Sequence, residues 1–152
     1  MGKMKLPVGQ KVMLDTSPVI YYIESIEPYA SMLQELFDNI ANGDNTAVTS
    51  VVTLIEVLTK PIRDGKPDLA EKFRLYLTRG KNMELMSITP EISEQAAHLR
   101  AKYGLRTPDA IQVAVSIISE ISLLITNDRI FKKVKEVDAL ILDDYRILSD
   151  RG

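Results

Sequence analysis

At 152 residues, 45% hydrophobic and 26% charged, the chain has the length and balance of one soluble globular domain with a substantial core, read as a single unit over residues 1–152. It contains no cysteine, which excludes disulfides, thiolate metal sites and cysteine nucleophiles and fits a reducing cytosol. A formal charge of −2 argues against a passive electrostatic coat for DNA, while leaving room for an acidic site offset locally by Lys and Arg.

The opening "MGKMKLPVGQ" is polar and punctuated by Pro and Gly, with no charged-then-apolar signal pattern. "KVMLD" is then a short apolar strand that delivers Asp15. "SPVIYYIES" follows as a helix, with Ser17 as its cap and Pro18 at the first helical position. "PYASMLQELFDNIANG" reads as an amphipathic helix with Met32, Leu33, Leu36, Phe37 and Ile40 on one face and Gly43 as the stop. "TAVTS" is a second strand, and Ser50 caps the helix "SVVTLIEVLTKPI". "KPDLAEKFRLYLTRG" is a helix ending at Gly80, and "MELMSIT" a third strand. "TPEISEQAAHLRAKYG" opens on a Thr cap followed by Pro and closes on Gly104, and "TPDAIQVAVSIISE" repeats the opening with Thr107 and Pro108. "ISLLITND" is a fourth strand, "RIFKKV" a short helix and "ALILDD" a last strand, while the tail "YRILSDRG" carries no signal. The most apolar stretch, "AIQVAVSIISEISLLI", is broken by Gln, Ser and Glu, so no membrane span is expected.

Strands that are apolar runs rather than alternating patterns imply a sheet covered on both faces. Their alternation with helices implies parallel pairing through right-handed crossovers. The expected architecture is α/β: a three-layer α/β/α sandwich around a central, mostly parallel five-stranded sheet. Ligands of such sheets bind beyond the carboxyl ends of the strands, at a switch in strand order.

Four acids stand where they could meet at that edge. Asp15 ends the first strand and Asp128 the fourth, although each could simply cap the turn that follows. Glu56 has apolar neighbours on both sides (Val52, Leu54, Ile55, Val57, Leu58), so partial burial is expected; the alternative is a narrow polar stripe with Thr49, Thr53 and Lys60. Asp109 falls in the first turn of a helix, where the dipole alone would favour it by ~0.3–1 kcal/mol. Brought together, each like-charged pair at about 4 Å and an effective dielectric near 20 costs on the order of 4 kcal/mol. A divalent cation would relieve that cost, and an oxygen-only donor set suits the hard ions Mg²⁺ or Mn²⁺.

The four stretches "LDTSPVI", "TSVVTLIEVL", "TPDAIQVAVS" and "LLITNDRIF", in this order, resemble the PIN domain family over nearly the whole chain, about residues 11–145. A compact single domain of this kind resembles the toxin half of VapBC-type toxin–antitoxin pairs. The resemblance implies a Mg²⁺- or Mn²⁺-dependent endoribonuclease that hydrolyses phosphodiesters of single-stranded or looped RNA. It assigns catalysis and metal binding to Asp15, Glu56, Asp109 and Asp128, with Asp15, Asp109 and Asp128 holding metal directly or through water. Glu56 would orient a water, take its proton or complete a second metal site. Thr126 matches the family's supporting hydroxyl position, and Thr16 and Ser17 are further candidates for orienting the carboxylates. The resemblance also implies a homodimer and, for a toxin, an antitoxin protein that blocks the acidic site; a cytoplasmic location is expected.

Phosphate binding needs positive charge, and Arg106, Arg129, Lys132 and Lys133 lie beside the acidic motifs, though each could be an ordinary surface charge. Residues 60–79, with Arg63 and Lys66, are a candidate groove for substrate or partner. Tyr21, Tyr22, Ile23 and Met32 are either a self-association surface or core. Three other α/β/α readings fall short. A receiver domain needs an early acid pair, a haloacid dehalogenase-type phosphatase needs D-x-D where "DTS" stands, and a nucleotide fold needs a Gly-rich turn. The remaining alternative is a PIN-like module that binds RNA or protein without cutting. His98, the only histidine, is expected to lie on a helix with no catalytic role.

Overall fold

The structure, a computed structural model, describes residues 3–151. Strand β1 (Lys11–Leu14) leads into α1 (Thr16–Ile23) and α2 (Tyr29–Asn42); β2 (Thr46–Ser50) leads into α3 (Val51–Arg63) and α4 (Pro67–Arg79). Strand β3 (Met83–Met86) is followed by α5 (Pro90–Tyr103) and α6 (Thr107–Ile118). Strand β4 (Leu123–Thr126), a 3-10 turn (Arg129–Lys133), β5 (Asp138–Ile141) and α7 (Leu142–Arg151) complete the order.

The five strands form one sheet in the order β3-β2-β1-β4-β5, and every pairing is parallel. Strand β1 is central, with Met13 opposite Val48 on one side and Leu14 opposite Ile125 on the other. Because side chains alternate across a strand, its residues feed both layers. Val12 and Leu14 pack with Leu33, Leu36, Phe37, Ile40, Phe73 and Leu77 beneath α2 and α4. Met13 packs with Ile92, Leu99, Val113, Leu124 and Phe131 beneath α5 and α6. The result is the three-layer sandwich, with two apolar cores divided by the sheet. No helix among the described residues is long and apolar enough to cross a membrane.

Helix signals acted largely as their chemistry dictates. Ser50 accepts the Val52 N–H and caps α3, Thr89 accepts the Ile92 N–H and caps α5, and Gly43 closes α2 in the left-handed conformation at φ 91°. Two expected caps are displaced. Helix α1 starts at Thr16 with Asp15 in the cap position, and α6 starts at Thr107 behind Arg106; neither start has a side-chain cap hydrogen bond. Ser17 instead accepts the Asn127 N–H at 3.0 Å, tying α1 to the end of β4. The last strand stops at Ile141, so Asp143 and Asp144 belong to the first turn of α7, and the tail that carried no sequence signal is helical as far as Arg151. Ile23 and Met32 are core residues, and Tyr21 and Tyr22 pack partly buried against the same cluster.

Candidate active site

The ends of β1 and β4 lie side by side at the carboxyl edge of the sheet. The Asp15 N–H extends their ladder by one bond, donating to the Ile125 carbonyl at 3.0 Å. The Asp15 side chain is thereby carried on rigid backbone. Its Oδ2 accepts the Thr126 hydroxyl at 2.7 Å, and its Oδ1 accepts Nε2 of Gln112 at 3.2 Å. Thr126 is fully buried and accepts the Asp128 N–H at 3.0 Å, so one hydroxyl fixes both the Asp15 carboxylate and the backbone that presents Asp128. One oxygen of Asp128 caps the 3-10 turn by accepting the Ile130 N–H at 3.0 Å.

Asp109 sits in the first turn of α6 with its side chain 13% exposed, and its Oδ2 is 3.4 Å from Nε of the well-exposed Arg106. Glu56 comes from α3 and accepts the Thr16 hydroxyl at 3.1 Å. The partial burial expected for Glu56 is not found by area. Helix α3 turns Val52, Thr53 and Val57 inward, leaving Ile55 (63% exposed) and Glu56 on the solvent side. The polar stripe with Thr49 and Thr53 is not formed either, because both threonines are fully buried.

All four acids line one cleft of about 570 Å³, with Arg106, Arg129 and Thr16 among its other polar walls and Ile20 and Tyr21 forming an apolar side. The acids sense one another. Burial pushes the Asp15 carboxyl above its usual range, and the charge of Asp128 adds to this, against the hydrogen bonds from Thr126, the Thr16 N–H and Gln112. Burial also raises Asp109, with Asp128 and Asp15 adding and Arg106 opposing. Although Glu56 is exposed by area, protein crowds its carboxyl enough that desolvation leads its upward shift. Asp15 and Asp109 reinforce that shift, while Thr16 and Arg106 counter it.

This electrostatic convergence is looser than a finished cation cage. Among the described residues, no group of three His, Cys, Asp or Glu side chains is arranged to hold a metal ion. The donor chemistry nonetheless fits a hard cation that keeps much of its water and uses few carboxylates, as Mg²⁺ characteristically does. Uncompensated negative charge around Asp15 is what such an ion would relieve.

The cations flanking the acidic motifs divide. Arg106 stands on the rim beside Asp109, whereas Arg129, though it lines the cleft, is ion-paired with Asp144 of α7, as is Lys132. Lys133 is exposed. Arg63 pairs with Asp64 at 3.6 Å at the end of α3, and neither it nor Lys66 lines the acidic cleft. His98 lies on α5 and is not among the cleft residues.

Two polar neighbours of the acids escaped the sequence reading. Gln112 is buried next to Asp15, and its only sequence signal was a polar residue interrupting the apolar run of α6. Asn127 links three elements: its N–H donates to Ser17, its Nδ2 to the Tyr21 hydroxyl at 3.2 Å, and its Oδ1 accepts the Asp143 N–H at 2.9 Å. A hollow of about 460 Å³ at the opposite edge of the sheet, near Lys11, Thr46, Asn82 and Glu84, gathers no comparable set of acids.

The PIN domain family model matches residues 12–137. Among solved structures, VapBC2 from Rickettsia felis, bound to a DNA fragment from its promoter, superposes with a TM-score of 0.67 at 19% identity, covering 87% of this chain and 98% of that one. A toxin–antitoxin complex from Klebsiella pneumoniae gives 0.65 at 21% identity, covering 84% and 95%. VapC20 from Mycobacterium tuberculosis, a sarcin–ricin loop cleaving toxin, gives 0.62 at 17% identity, covering 74% and 86%. No curated protein sequence gives a match.

Proposed function

From the premise that this chain belongs to the PIN domain family, we propose that it is a metal-dependent endoribonuclease, the toxin of a toxin–antitoxin pair. The observation that carries the reading is the convergence of Asp15, Glu56, Asp109 and Asp128 on one cleft, at the carboxyl ends of the paired strands β1 and β4. Asp15, Asp109 and Asp128, with Glu56, are the residues that would hold Mg²⁺ or Mn²⁺. Either ion, when bound, offsets the crowded negative charge, eases deprotonation of a water and stabilises charge gathering on a phosphoryl oxygen.

The chain's own residues do the remaining work. Thr126 holds Asp15 by its Oδ2 and fixes the backbone of Asp128. Thr16 orients Glu56, whose raised pKa brings it nearer to the range in which a carboxylate serves as general base at neutral pH. Arg106, exposed on the rim, draws the phosphate backbone of RNA toward the cleft. Arg129 is held by Asp144 through both terminal nitrogens, whereas Arg106 meets Asp109 through Nε alone, which makes Arg106 the stronger candidate for the first phosphate contact. Ile20 and Tyr21 supply an apolar wall against which a base can rest.

The toxin assignment draws support from neighbours solved as toxin–antitoxin complexes. It implies an antitoxin protein that covers the cleft, a homodimer and a cytoplasmic setting. A second reading, a PIN-like module that binds RNA or protein without cutting, is favoured by one observation: among the described residues no three carboxylates are arranged to hold an ion. End-labelled single-stranded RNA, incubated with Mn²⁺ or with chelator beside Asp15→Asn, separates the two. Cleavage that needs metal and falls at least about 100-fold in the variant supports the nuclease. Retarded but intact RNA in both proteins supports the module.

A further inference from the structure

Gln112 is 1% exposed, and its amide has a partner for every group it carries into the core. Oε1 accepts the Ser50 hydroxyl at 2.6 Å; Nε2 donates to Thr53 Oγ1 at 2.8 Å and to Asp15 Oδ1 at 3.2 Å. The orientation of the amide is forced. Ser50 accepts the Val52 N–H and still has its own proton to give to Oε1. The Thr49 and Thr53 hydroxyls lie 2.7 Å apart, and Thr49 is also 2.7 Å from the Leu14 carbonyl, which can only accept. The single proton of Thr49 therefore serves Leu14, Thr53 donates to Thr49, and Thr53 must accept from Gln112. One Nε2 proton remains, and it points at Asp15.

A buried glutamine satisfied by neighbours needs no function to explain it. Two features take this one further. Rotation of an Asp carboxylate about its last torsion is broad and roughly two-fold, so the Thr126 bond to Oδ2, with the Thr16 N–H of the neighbouring residue, leaves that plane without a hold from the α3–α6 layer. A second donor on Oδ1 from another element fixes it, while each oxygen keeps acceptor capacity for a cation. Gln112 also lies three residues after Asp109 on α6, and Thr53 three residues before Glu56 on α3. The same amide therefore joins Asp15 to the helices that carry two of the other acids.

We infer that Gln112 is a positioning residue of this site: it locks the Asp15 carboxylate plane and holds α3 and α6 at the spacing from which the acids can close on a divalent cation. This rests on the metal-dependent reading above. The test is calorimetric Mn²⁺ binding, without RNA, by the unmodified protein, by near-isosteric Gln112→Met and by Ser116→Ala. Ser116 lies on the same helix and is equally buried, and it donates to the Ile121 carbonyl at 2.8 Å, outside the network. Gln112→Met is expected to weaken Mn²⁺ binding about 10–100-fold, and to lower kcat for RNA cleavage with KM little changed. Ser116→Ala should lose stability and leave Mn²⁺ affinity unchanged. Unaltered affinity in Gln112→Met, or an equal loss in Ser116→Ala, overturns the inference. Should Gln112→Met not fold, the Gln112 side-chain amide resonances of the unmodified protein serve instead. They must move with site occupancy as diamagnetic Mg²⁺ is added, and resonances that stay in place overturn it. Absence of Mn²⁺ binding by the unmodified protein would sink the functional reading itself, and the positioning role with it.

Discussion

Asp15, Glu56 and Asp109 each hold a proton more tightly in the folded chain than in the unfolded one, burial being the leading cause for all three. At about pH 2, well below the ordinary carboxylate range, they are protonated in both states. As the pH rises through their raised values the folded chain must ionise crowded acids, and the stability present at low pH is lost. A cation reverses that penalty only where the acids are ionised. The gain in Tm from Mn²⁺ over chelator should therefore be larger at pH 7 than at pH 5, and an equal gain at both would contradict it. Taking the difference at each pH cancels acids such as Asp144 and Glu136, whose pKa values are lowered and which act with the opposite sign. At this scale the sequence displayed the acids because strand ends and first helical turns are readable from local pattern. Gln112 and the Arg129–Asp144 pair were not readable, since each depends on a partner far away in the chain or on the exact start of α7.

Elements were legible where a single residue both starts and explains them. Ser50 and Thr89 occupy the caps their chemistry suits, and Ser50→Ala should cost about 2–4 kcal/mol in urea unfolding, from the lost cap of α3 together with the buried Gln112 Oε1 left without its donor. Gly80 ends α4 because a Cβ there would lie 2.4 Å from the Tyr76 carbonyl oxygen, which is backbone and cannot swing aside. Gly80→Ala is expected to destabilise by about 1–3 kcal/mol in the same assay. The starts of α1 and α6 were harder to read. A proline is harmless anywhere in a first turn whose N–H groups have no intrahelical partner, so Pro18 and Pro108 mark the turn without naming its first residue. The boundary between β5 and α7 failed for a related reason. Asp143 and Asp144 extend an apolar run in sequence, yet acids also suit the first turn of a helix.

For the whole molecule, alternating strands and helices dictated a parallel sheet, and right-handed crossovers narrowed its topology. They do not dictate the order β3-β2-β1-β4-β5, which depends on which face each helix pair covers. That order puts the reversal of winding between β1 and β4, and Asp15 and Asp128 follow those two strands. The site is therefore founded on the best-buried part of the sheet. Amide hydrogen exchange should be slowest in β1 and β4, faster in the edge strands β3 and β5. Equal protection across all five strands would show that the centre is no stiffer than the margins.

The wall of the cleft has an optical consequence. Tyr21 stacks on Tyr29 with ring centroids 4.2 Å apart and planes 16° from parallel, and its hydroxyl accepts from Asn127, the residue before Asp128. The chain has six tyrosines and no tryptophan to drown their signal. Two chromophores so close share their excitation, and the circular dichroism of such a couple depends steeply on ring angle. The molecule thus carries its own reporter, by which an occupant of the cleft could be watched in the near ultraviolet without a dye or a label.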